Sequence, residues 1–549
     1  MSAAGSATVS AGARGQLWRA MAAQIGAETR SRLRSPSTIL TVLALFAAAF
    51  AYVPPPDAKR ASIMWEVAGR TYSGTYTAGF IGAVVALLTS MLLPLVGFYL
   101  VAGSVRRDLE RRVWPIIAAT RTSATSYLLG KWLASFAYLL VLAALALLPA
   151  IYLFLRYGTG PFALGQLLMP WLLLAPAAMA FTAAFALLFD VTPGLRGRGG
   201  YVLWFFVFSF LFMVIPGGIS GRLDQDPSND RSTTYDPAGL VFFHDLIARS
   251  VTEPVHSISL GLIILDEPVP RLPFAPLRVD GELVARRAAT FAWTALPLLA
   301  AIGIFKLAVG RGARAPRQRA RWWRRASTAA APAEWQAPAG ATALAFHPHH
   351  GRPGLARAVL AEGVLLWQSA SWIKWPMVAA AVASLFVPGA GATAPMAIFL
   401  LLLAPVIGEA AAREELAGAG ATVFAQPGLP RSRVAWKLAA IAGFVALVGA
   451  PVLLRSLVRG ADFGLAMLLG LAFTASAAAG FGWLTGGGKL FLGLYTALWY
   501  MAIQRDSPLD FTGAFGAQPQ FAVCAGFAAA GVASVVLAAA VEKARAARG

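Results

Sequence analysis

The charged side chains that could act on a partner are concentrated in residues 104–131, a stretch between two long apolar runs. Val105, Leu109 and Val113 recur every four residues, which predicts one apolar face of a short helix that Pro115 interrupts. The other faces carry Arg106, Arg107, Asp108, Glu110, Arg111 and Arg112. An amphipathic helix between two membrane spans is suited to docking on another protein. The alternative is a solvated basic loop that only fixes the membrane topology.

A similar stretch occurs a second time, in residues 409–437, and it also follows one apolar run and precedes another. A constant separation of 306 residues aligns Asp108 with Glu414 and Lys131 with Lys437. The candidate docking residues of this second copy are Arg413, Glu414, Glu415 and Leu416. The repetition favours two homologous halves, each of which begins with an amphipathic helix at the membrane interface.

Ionisable residues are missing from the middles of the predicted spans and occur at their ends, at Lys131, Asp190, Lys306, Glu409, Lys437 and Lys489. A charge near the bilayer centre usually serves transport or catalysis, so this distribution disfavours an ion-coupled transporter and a membrane hydrolase. Gly488 and Lys489 lack the upstream glycine of a phosphate-binding loop, and Leu490 stands where serine or threonine is needed. We therefore expect the chain to have no ATPase site of its own.

Cysteine and histidine are scarce, with one cysteine (Cys524) and five histidines in 549 residues. A single cysteine excludes a disulfide framework and a cysteine-ligated metal site. His347, His349 and His350 lie close together, but they fall in an Ala/Pro-rich linker without a further ligand nearby. The sequence thus predicts no metal and no bound cofactor.

The composition indicates a polytopic membrane protein. Hydrophobic residues make up 58% of the chain, charged residues only 13%, and the mean hydropathy is +0.65. The net charge of +21 does not require nucleic acid, because Lys and Arg concentrate on the loops predicted to be cytoplasmic, as the positive-inside rule demands. Basic residues beside spans also bind anionic lipids, so we expect membrane lipids as partners and no nucleic acid.

The apolar runs predict twelve spans with both termini in the cytoplasm. They cover residues 37–53, 79–102, 132–155, 164–189, 201–215, 288–309, 376–387, 394–407, 434–454, 464–483, 490–503 and 521–541. The predicted divisions are a disordered N-terminus (1–16), a first half (17–309), a basic cytoplasmic linker (310–354) and a second half (355–549).

Two outer regions are predicted in the first half. Residues 57–75 read as a polar loop, and residues 216–287 form a long outer segment. Within that segment, residues 240–251 and 257–265 are apolar enough to re-enter the membrane or to pack against it.

These features together resemble the membrane subunit of a type-2 ATP-binding cassette exporter. Permeases of this family are described as an interfacial helix followed by six spans, with a cytoplasmic coupling helix between the second and third spans. The resemblance covers nearly the whole chain, twice. Its closest motif begins at Arg107 and ends at Lys131, whereas the second copy runs from Arg413 to Lys437 and lacks a glycine before the lysine.

The resemblance implies an all-α polytopic membrane protein with about twelve transmembrane helices in two six-helix repeats, each with an interfacial helix and a coupling helix. The implied function is a permease subunit in the bacterial cytoplasmic (inner) membrane that moves a substrate out of the cytoplasm. Its implied partners are two cassette ATPase subunits, which bind ATP and Mg. The implied ATPase-coupling residues are Val105, Arg107, Asp108, Leu109, Glu110, Val113, Arg413, Glu414, Glu415 and Leu416.

Two alternatives remain open from the sequence. One is a secondary active transporter with two six-span halves, which ionisable residues facing a buried cavity would favour. The other is a membrane enzyme or scaffold that transports nothing, which an acid–base pair in the outer segment would favour.

Overall fold

The computed structural model describes residues 22–23, 25–67, 69–110, 113–119, 122–218, 234–250, 257–264, 267–314, 355–420, 429–504 and 509–546. The predicted disordered N-terminus, residues 1–16, lies outside the described residues, as do residues 315–354 of the predicted linker. The described residues are mainly helical and include one small β-sheet, which the all-α prediction left out.

The helices of the first half surround the long central helices α3 and α8. They are α1 (Ile25–Leu33), α2 (Pro36–Tyr52), α3 (Ala78–Val101), α4 (Ser104–Glu110), α5 (Val113–Ala118), α6 (Ala124–Leu145), α7 (Leu147–Tyr157), α8 (Leu164–Val191), α9 (Arg198–Phe208), α10 (Leu240–Ser250), α11 (Gly281–Ala292) and α12 (Ala295–Arg314). A π-helical turn, Ser209–Val214, continues α9.

The second half has fewer and on average longer helices. They are α13 (Leu355–Ser369), α14 (Lys374–Phe386), α15 (Thr393–Ile407), α16 (Arg413–Leu416), α17 (Leu429–Arg459), α18 (Ala461–Thr485), α19 (Lys489–Ala502) and α20 (Phe521–Ala546). Short 3₁₀ turns, Ser371–Ile373 and Gly389–Ala392, precede α14 and α15.

All twelve predicted apolar runs lie on helices, but the helices differ in length. Eight stretches among the described residues are long and apolar enough to cross a membrane: Ala78–Leu109, Ala124–Tyr157, Leu164–Val191, Arg198–Gly218, Gly281–Ala308, Trp436–Arg459, Ala461–Thr485 and Phe521–Ala544. A ninth is formed if α1 and α2 together make one bent span. The chain is therefore suited to a multi-pass membrane protein, as its composition predicts.

The first helix of the chain meets the next at an angle of 68°. Pro36 occupies the first position of α2, where a missing backbone N–H costs nothing and the proline ring fits the helix start. The sharp bend separates a short helix with charged residues from an apolar one. This arrangement is the one expected of an interfacial helix followed by a span.

The sequence predicts a polar loop over residues 57–75, but this region contains two strands of a four-stranded β-sheet. Its strands are β1 (Arg60–Val67), β2 (Arg70–Gly74), β3 (Ser257–Ile264) and β4 (Arg271–Leu272), in the order β3-β1-β2-β4. Strands β1 and β2 form a hairpin around Gly69, whose φ of 75° favours glycine. Most of β1 is buried on both faces, so the sequence lacks the alternation that marks a half-exposed strand.

Among the described residues of the outer segment, helix α10 packs on protein. Helix α10 is buried along most of its length, with Phe243 and Ile247 almost completely enclosed. The Asp236 carboxylate caps its start, since it accepts hydrogen bonds from the backbone N–H groups of Leu240 and Phe242 at 2.8 and 2.9 Å. The sequence analysis predicted that this region re-enters the membrane or packs against it, whereas the apolar residues of α10 pack against other parts of the same chain.

The two halves meet mainly where α3 and α9 of the first half pack against α19 and α15 of the second, and α2 also contacts α18 and α19. Phe205 of α9 and Trp499 of α19 form an edge-to-face aromatic pair with ring centroids 4.8 Å apart. Gly493 lies where α19 crosses α3, and a Cβ atom there would be 3.1 Å from Val96. Close approach of these helices therefore places both halves in one continuous hydrophobic core.

Candidate functional site

A buried group of ions ties three elements of the first half together. The Lys131 Nζ on α6 lies 2.9 Å from the Asp108 carboxylate on α4 and 3.3 Å from the Glu28 carboxylate on α1. The Tyr127 hydroxyl also donates a 2.6 Å hydrogen bond to Asp108, and Arg32 pairs with Glu28 at 2.9 Å. We call Glu28, Asp108 and Lys131 the first ion cluster.

The second half contains a matching group. The Lys437 Nζ on α17 lies 2.6 Å from Glu414 on α16 and 3.8 Å from Glu362 on α13. It also donates a 2.9 Å hydrogen bond to the Ala410 carbonyl, while Arg413 pairs with Glu362 at 2.7 Å. We call Glu362, Glu414 and Lys437 the second ion cluster.

Both clusters follow one plan. In the first half, the cluster joins α1, α4 and the N-terminal part of α6. In the second half, it joins α13, α16 and the N-terminal part of α17. Asp108 and Glu414 are related by the same 306-residue separation as Lys131 and Lys437. An ion pair that loses water on burial is strongly destabilised when one partner is removed. Each cluster therefore joins three elements of its half through charges that depend on one another.

Burial changes the pKa of one carboxyl group in the second ion cluster. Burial raises the pKa of the Glu362 carboxyl above its ordinary value, although the nearby Lys437 and Arg413 charges oppose that rise. The carboxylate is nonetheless well supplied with partners, because a cation from α16 and another from α17 both reach it.

The predicted docking helix of the first copy faces inward. Its described residues lie on α4 and α5, and residues 111–112 between these helices lie outside the described part of the chain. Pro115 lies within α5, so helical structure continues past the proline that was predicted to interrupt it. Val105 is fully buried and Leu109 packs beside it, against Tyr127 of the same chain. The apolar face of α4 is thus already occupied by its own half.

The remaining predicted residues of the first copy have different surroundings. Arg107 is exposed, Val113 is half-buried at the start of α5, and Glu110 ends α4. Ile116 of α5, which the sequence analysis did not single out, is 70% exposed. Among the side chains of α4 and α5 that the structure describes, the exposed ones are Arg107 and Ile116.

The second copy presents its apolar residue to the surface. Helix α16 is only four residues long, Glu415 is exposed and Leu416 is 57% exposed. Arg413 and Glu414 point into the second ion cluster. Residues 421–428 of this copy lie outside the described part of the chain.

Two basic side chains cross between the halves in a reciprocal manner. Arg198, the first residue of α9, pairs with Glu409 at 3.4 Å and donates a hydrogen bond to the Ser369 carbonyl. Lys489, the first residue of α19, donates a hydrogen bond to the Ala102 carbonyl at the end of α3. In each case a cation at the start of one helix holds the end of a helix in the opposite half.

Asp190 of α8 stabilises the turn after α3, next to the carbonyl that Lys489 contacts. Its buried carboxylate accepts hydrogen bonds from the backbone N–H groups of Gly103 and Val105, at 2.6 and 3.1 Å. Lys489 supplies the principal opposite charge nearby. The turn between α3 and α4 is therefore held by α8 on one side and by the second half on the other.

The described residues contain no group of three His, Cys, Asp or Glu side chains that could hold a metal ion. The candidate histidines, His347, His349 and His350, lie outside the described residues. Cys524 is a buried free thiol.

Several residues of this site escaped the sequence analysis. Glu28 and Glu362 were not proposed as site residues, because they do not share the 306-residue separation and lie on helices that the motif does not include. Lys131 and Lys437 served only to align the two copies. Lys131 directly precedes the predicted span 132–155 and Lys437 lies in the first turn of 434–454. A lysine so close to a span needs a counterion when it is buried, and that requirement is the signal that points to the clusters.

Comparison with known proteins adds no relative. The chain matches no model of a known protein family, no curated protein and no solved structure. Its functional interpretation rests on its own residues and their geometry.

Proposed function

We propose that this chain is the membrane subunit of an ATP-binding cassette exporter, with two six-helix permease halves fused in one polypeptide. The observation that carries the proposal is the ion cluster built twice, by Glu28, Asp108 and Lys131 and by Glu362, Glu414 and Lys437. Two copies of one permease plan, related by the sequence repeat, would produce this duplication.

The proposed topology has twelve spans, with both termini in the cytoplasm and residues 216–287 outside. Helices α14, α15 and α19 are about 20–22 Å long at 1.5 Å per residue, shorter than a hydrocarbon core of about 30 Å. The second half of α15 is wholly buried in protein, and α19 is mostly so. A short helix enclosed by longer helices is spared the mismatch with lipid that a lipid-facing helix would suffer.

The proposed coupling between ATP and transport runs through the ion clusters. Two ATPase subunits, which bind ATP and Mg, would press on the exposed parts of the two copies, at Arg107 and Ile116 and at Glu415 and Leu416. Because each cluster links these segments to two further helices, a push at the surface would move three elements of a half together.

The test is co-purification of the tagged chain from its native membranes in mild detergent. We expect an ATP-hydrolysing subunit to accompany it, in a complex that contains one copy of this chain and two ATPase domains. Ile116→Asp should reduce co-purification at least about tenfold, because it places a charge in a docking contact without disturbing the fold. Phe162→Asp, at an exposed apolar position in the outer loop between the predicted spans 132–155 and 164–189, is the matched control and should leave the partner bound.

Two results would contradict the proposal. One is sustained ATP hydrolysis by the purified chain alone, since it is proposed to lack an ATPase site. The other is a complex with two copies of this chain, which would mean that one chain does not supply both permease halves.

A further inference from the structure

A cavity of about 400 Å³ lies between the two halves, away from the ion clusters. Helices α2 and α3 of the first half form one side of it, and α18, α19 and α20 of the second half form the other. Its volume is within the range of about 300–1,000 Å³ that is common for ligand sites. The cavity thus has the size of a binding site and is built from both halves.

Almost all of the surface that lines the cavity is apolar. Charged side chains are missing among the described residues that line it, and its polar side chains are Thr41, Tyr52 and Tyr495. The Thr41 hydroxyl donates to the Ser37 carbonyl at 2.8 Å, and the Tyr52 hydroxyl donates to the Met501 sulfur at 3.1 Å. The Tyr495 hydroxyl lies 3.5 Å from the Thr474 hydroxyl. Because the lining is almost entirely apolar and each of its few hydroxyl groups lies near a protein partner, the cavity favours an apolar ligand.

The cavity is long and narrow. Its lining extends along α2 from Thr41 to Tyr52, about 16 Å, and along α19 from Phe491 to Met501, about 15 Å, at 1.5 Å per residue. Two helices from different halves therefore give the same length. Half of a hydrocarbon core of about 30 Å is also about 15 Å, which is the depth reached by one lipid chain in one leaflet.

Small side chains surround the opening of the cavity. Ala47 on α2 and Ala530 on α20 both line it, and both are exposed on the surface of the described residues. Ala44 and Ala48 continue the same side of α2 inward. The cavity therefore reaches the surface of the described residues beside Ala47 of α2 and Ala530 of α20, and we take this position as its entrance.

We infer that this cavity binds a single hydrocarbon chain of a lipid-like molecule, whose polar head remains outside the protein. The inference names the apolar part of the substrate for the proposed exporter, and in that respect it rests on the proposed function. Binding itself does not require the ATPase, so it is measurable on this chain alone.

The experiment uses the purified full chain in phosphatidylcholine nanodiscs, labelled with a photoreactive palmitate analogue whose diazirine lies on the alkyl chain. Photolysis followed by peptide mapping should place the label on α2 and α19, within the stretch from Thr41 to Tyr52 or from Phe491 to Met501. Label spread evenly over lipid-facing helix surfaces would overturn the inference.

Filling variants provide the decisive comparison. Ala530→Phe narrows the entrance, and Ala48→Phe fills the interior. Each should reduce labelling of the cavity at least about tenfold, because excluding about two methylene groups already lowers affinity by that factor. Ala529→Phe is the matched control: Ala529 is exposed on the same helix but does not line the cavity, so labelling should remain at the parental level.

The outcomes separate this inference from the proposed function. Equal labelling of parental protein, Ala530→Phe and Ala529→Phe would overturn the binding site, whatever the ATPase result. Loss of labelling in Ala530→Phe alone, in a chain that co-purifies with no ATPase, would support the site and count against the exporter. If Ala48→Phe fails to fold, Ala530→Phe decides the matter, because its position is exposed and leaves the core intact.

Discussion

The two ion clusters carry the same charges but differ in how far they are removed from solvent. In the second cluster, the side chains of Lys437 and Glu362 are 0% and 4% exposed, whereas Lys131 and Glu28 in the first are 10% and 14% exposed. Glu414 and Asp108 are similarly exposed, at 17% and 20%, so the difference lies in the lysine and in the glutamate of the first helix of each half. Water can replace a missing partner of those two residues more readily in the first cluster than in the second. The same arrangement of charges therefore has different exposure to solvent in the two halves. We expect the loss of folding stability on removing its lysine to differ between them.

The two predicted docking segments differ in the exposure of their apolar residue. The apolar residue of the first copy, Leu109, packs against its own half, whereas Leu416 in the second copy is exposed. The first copy was the better match to the family motif, yet its apolar face is the one already in use. Similarity of sequence between the copies therefore does not translate into similarity of exposed surface.

The largest expected effect comes from Lys437→Met. Removing this lysine leaves Glu362 and Glu414 facing each other in a buried site, which should cost about 3–5 kcal/mol of folding stability. Lys131→Met should cost less, about 1–3 kcal/mol, because water can reach its acidic partners. Thermal unfolding of both variants in detergent measures the difference in stability. Equal losses of stability would contradict the expectation that the second cluster is the more sensitive one. The double variant with Glu414→Gln should regain part of the stability.

A smaller effect is expected from charges placed on the two docking segments. Leu109→Asp should destabilise the chain by about 3 kcal/mol, because the carboxylate enters an apolar cluster beside Val105 and Tyr127. Leu416→Asp should change stability by less than about 0.5 kcal/mol, because its side chain is exposed. Yield of monodisperse protein and unfolding temperature report both. An unaltered Leu109→Asp variant would show that α4 is not held in its own half.

The smallest expected effect is on pH dependence. The raised pKa of Glu362 means that its contribution to stability is full below the ordinary value of 4.5 and is lost as pH rises through the folded value. The parental unfolding temperature should therefore fall more steeply than that of Glu362→Gln as pH increases from 4.5 to 7. A steeper fall in the variant would contradict this sign.

Asp280 provides a control of opposite sign. Its pKa is lowered, first by a hydrogen bond from the Leu283 backbone and then by Arg249. Its contribution is present above the ordinary value of 3.8 and is lost as pH falls through the folded value. Asp280→Asn should therefore flatten the acidic side of the curve and leave the range from pH 4.5 to 7 unchanged.

The sequence alone determined where the helices are and what surrounds them. An apolar run in a chain with 13% charged residues forms a helix, because a backbone in lipid must satisfy its hydrogen bonds internally. The charges at helix ends follow from the same rule, since a charge at mid-membrane is costly. The 306-residue separation also identified the correspondence of Asp108 with Glu414 and of Lys131 with Lys437 before any geometry was known.

Only the tertiary structure decided which side chains meet. Glu28 and Glu362 reach the clusters because α1 and α13 fold back beside α6 and α17, a contact that no local pattern encodes. Strand β1 pairs with β3 across nearly two hundred residues, which is why the sheet was missed. Inward packing of Leu109 and the cavity between the halves likewise depend on neighbouring helices. Periodicity specifies that a helix has an apolar face, but packing decides whether that face meets its own chain, lipid or a partner.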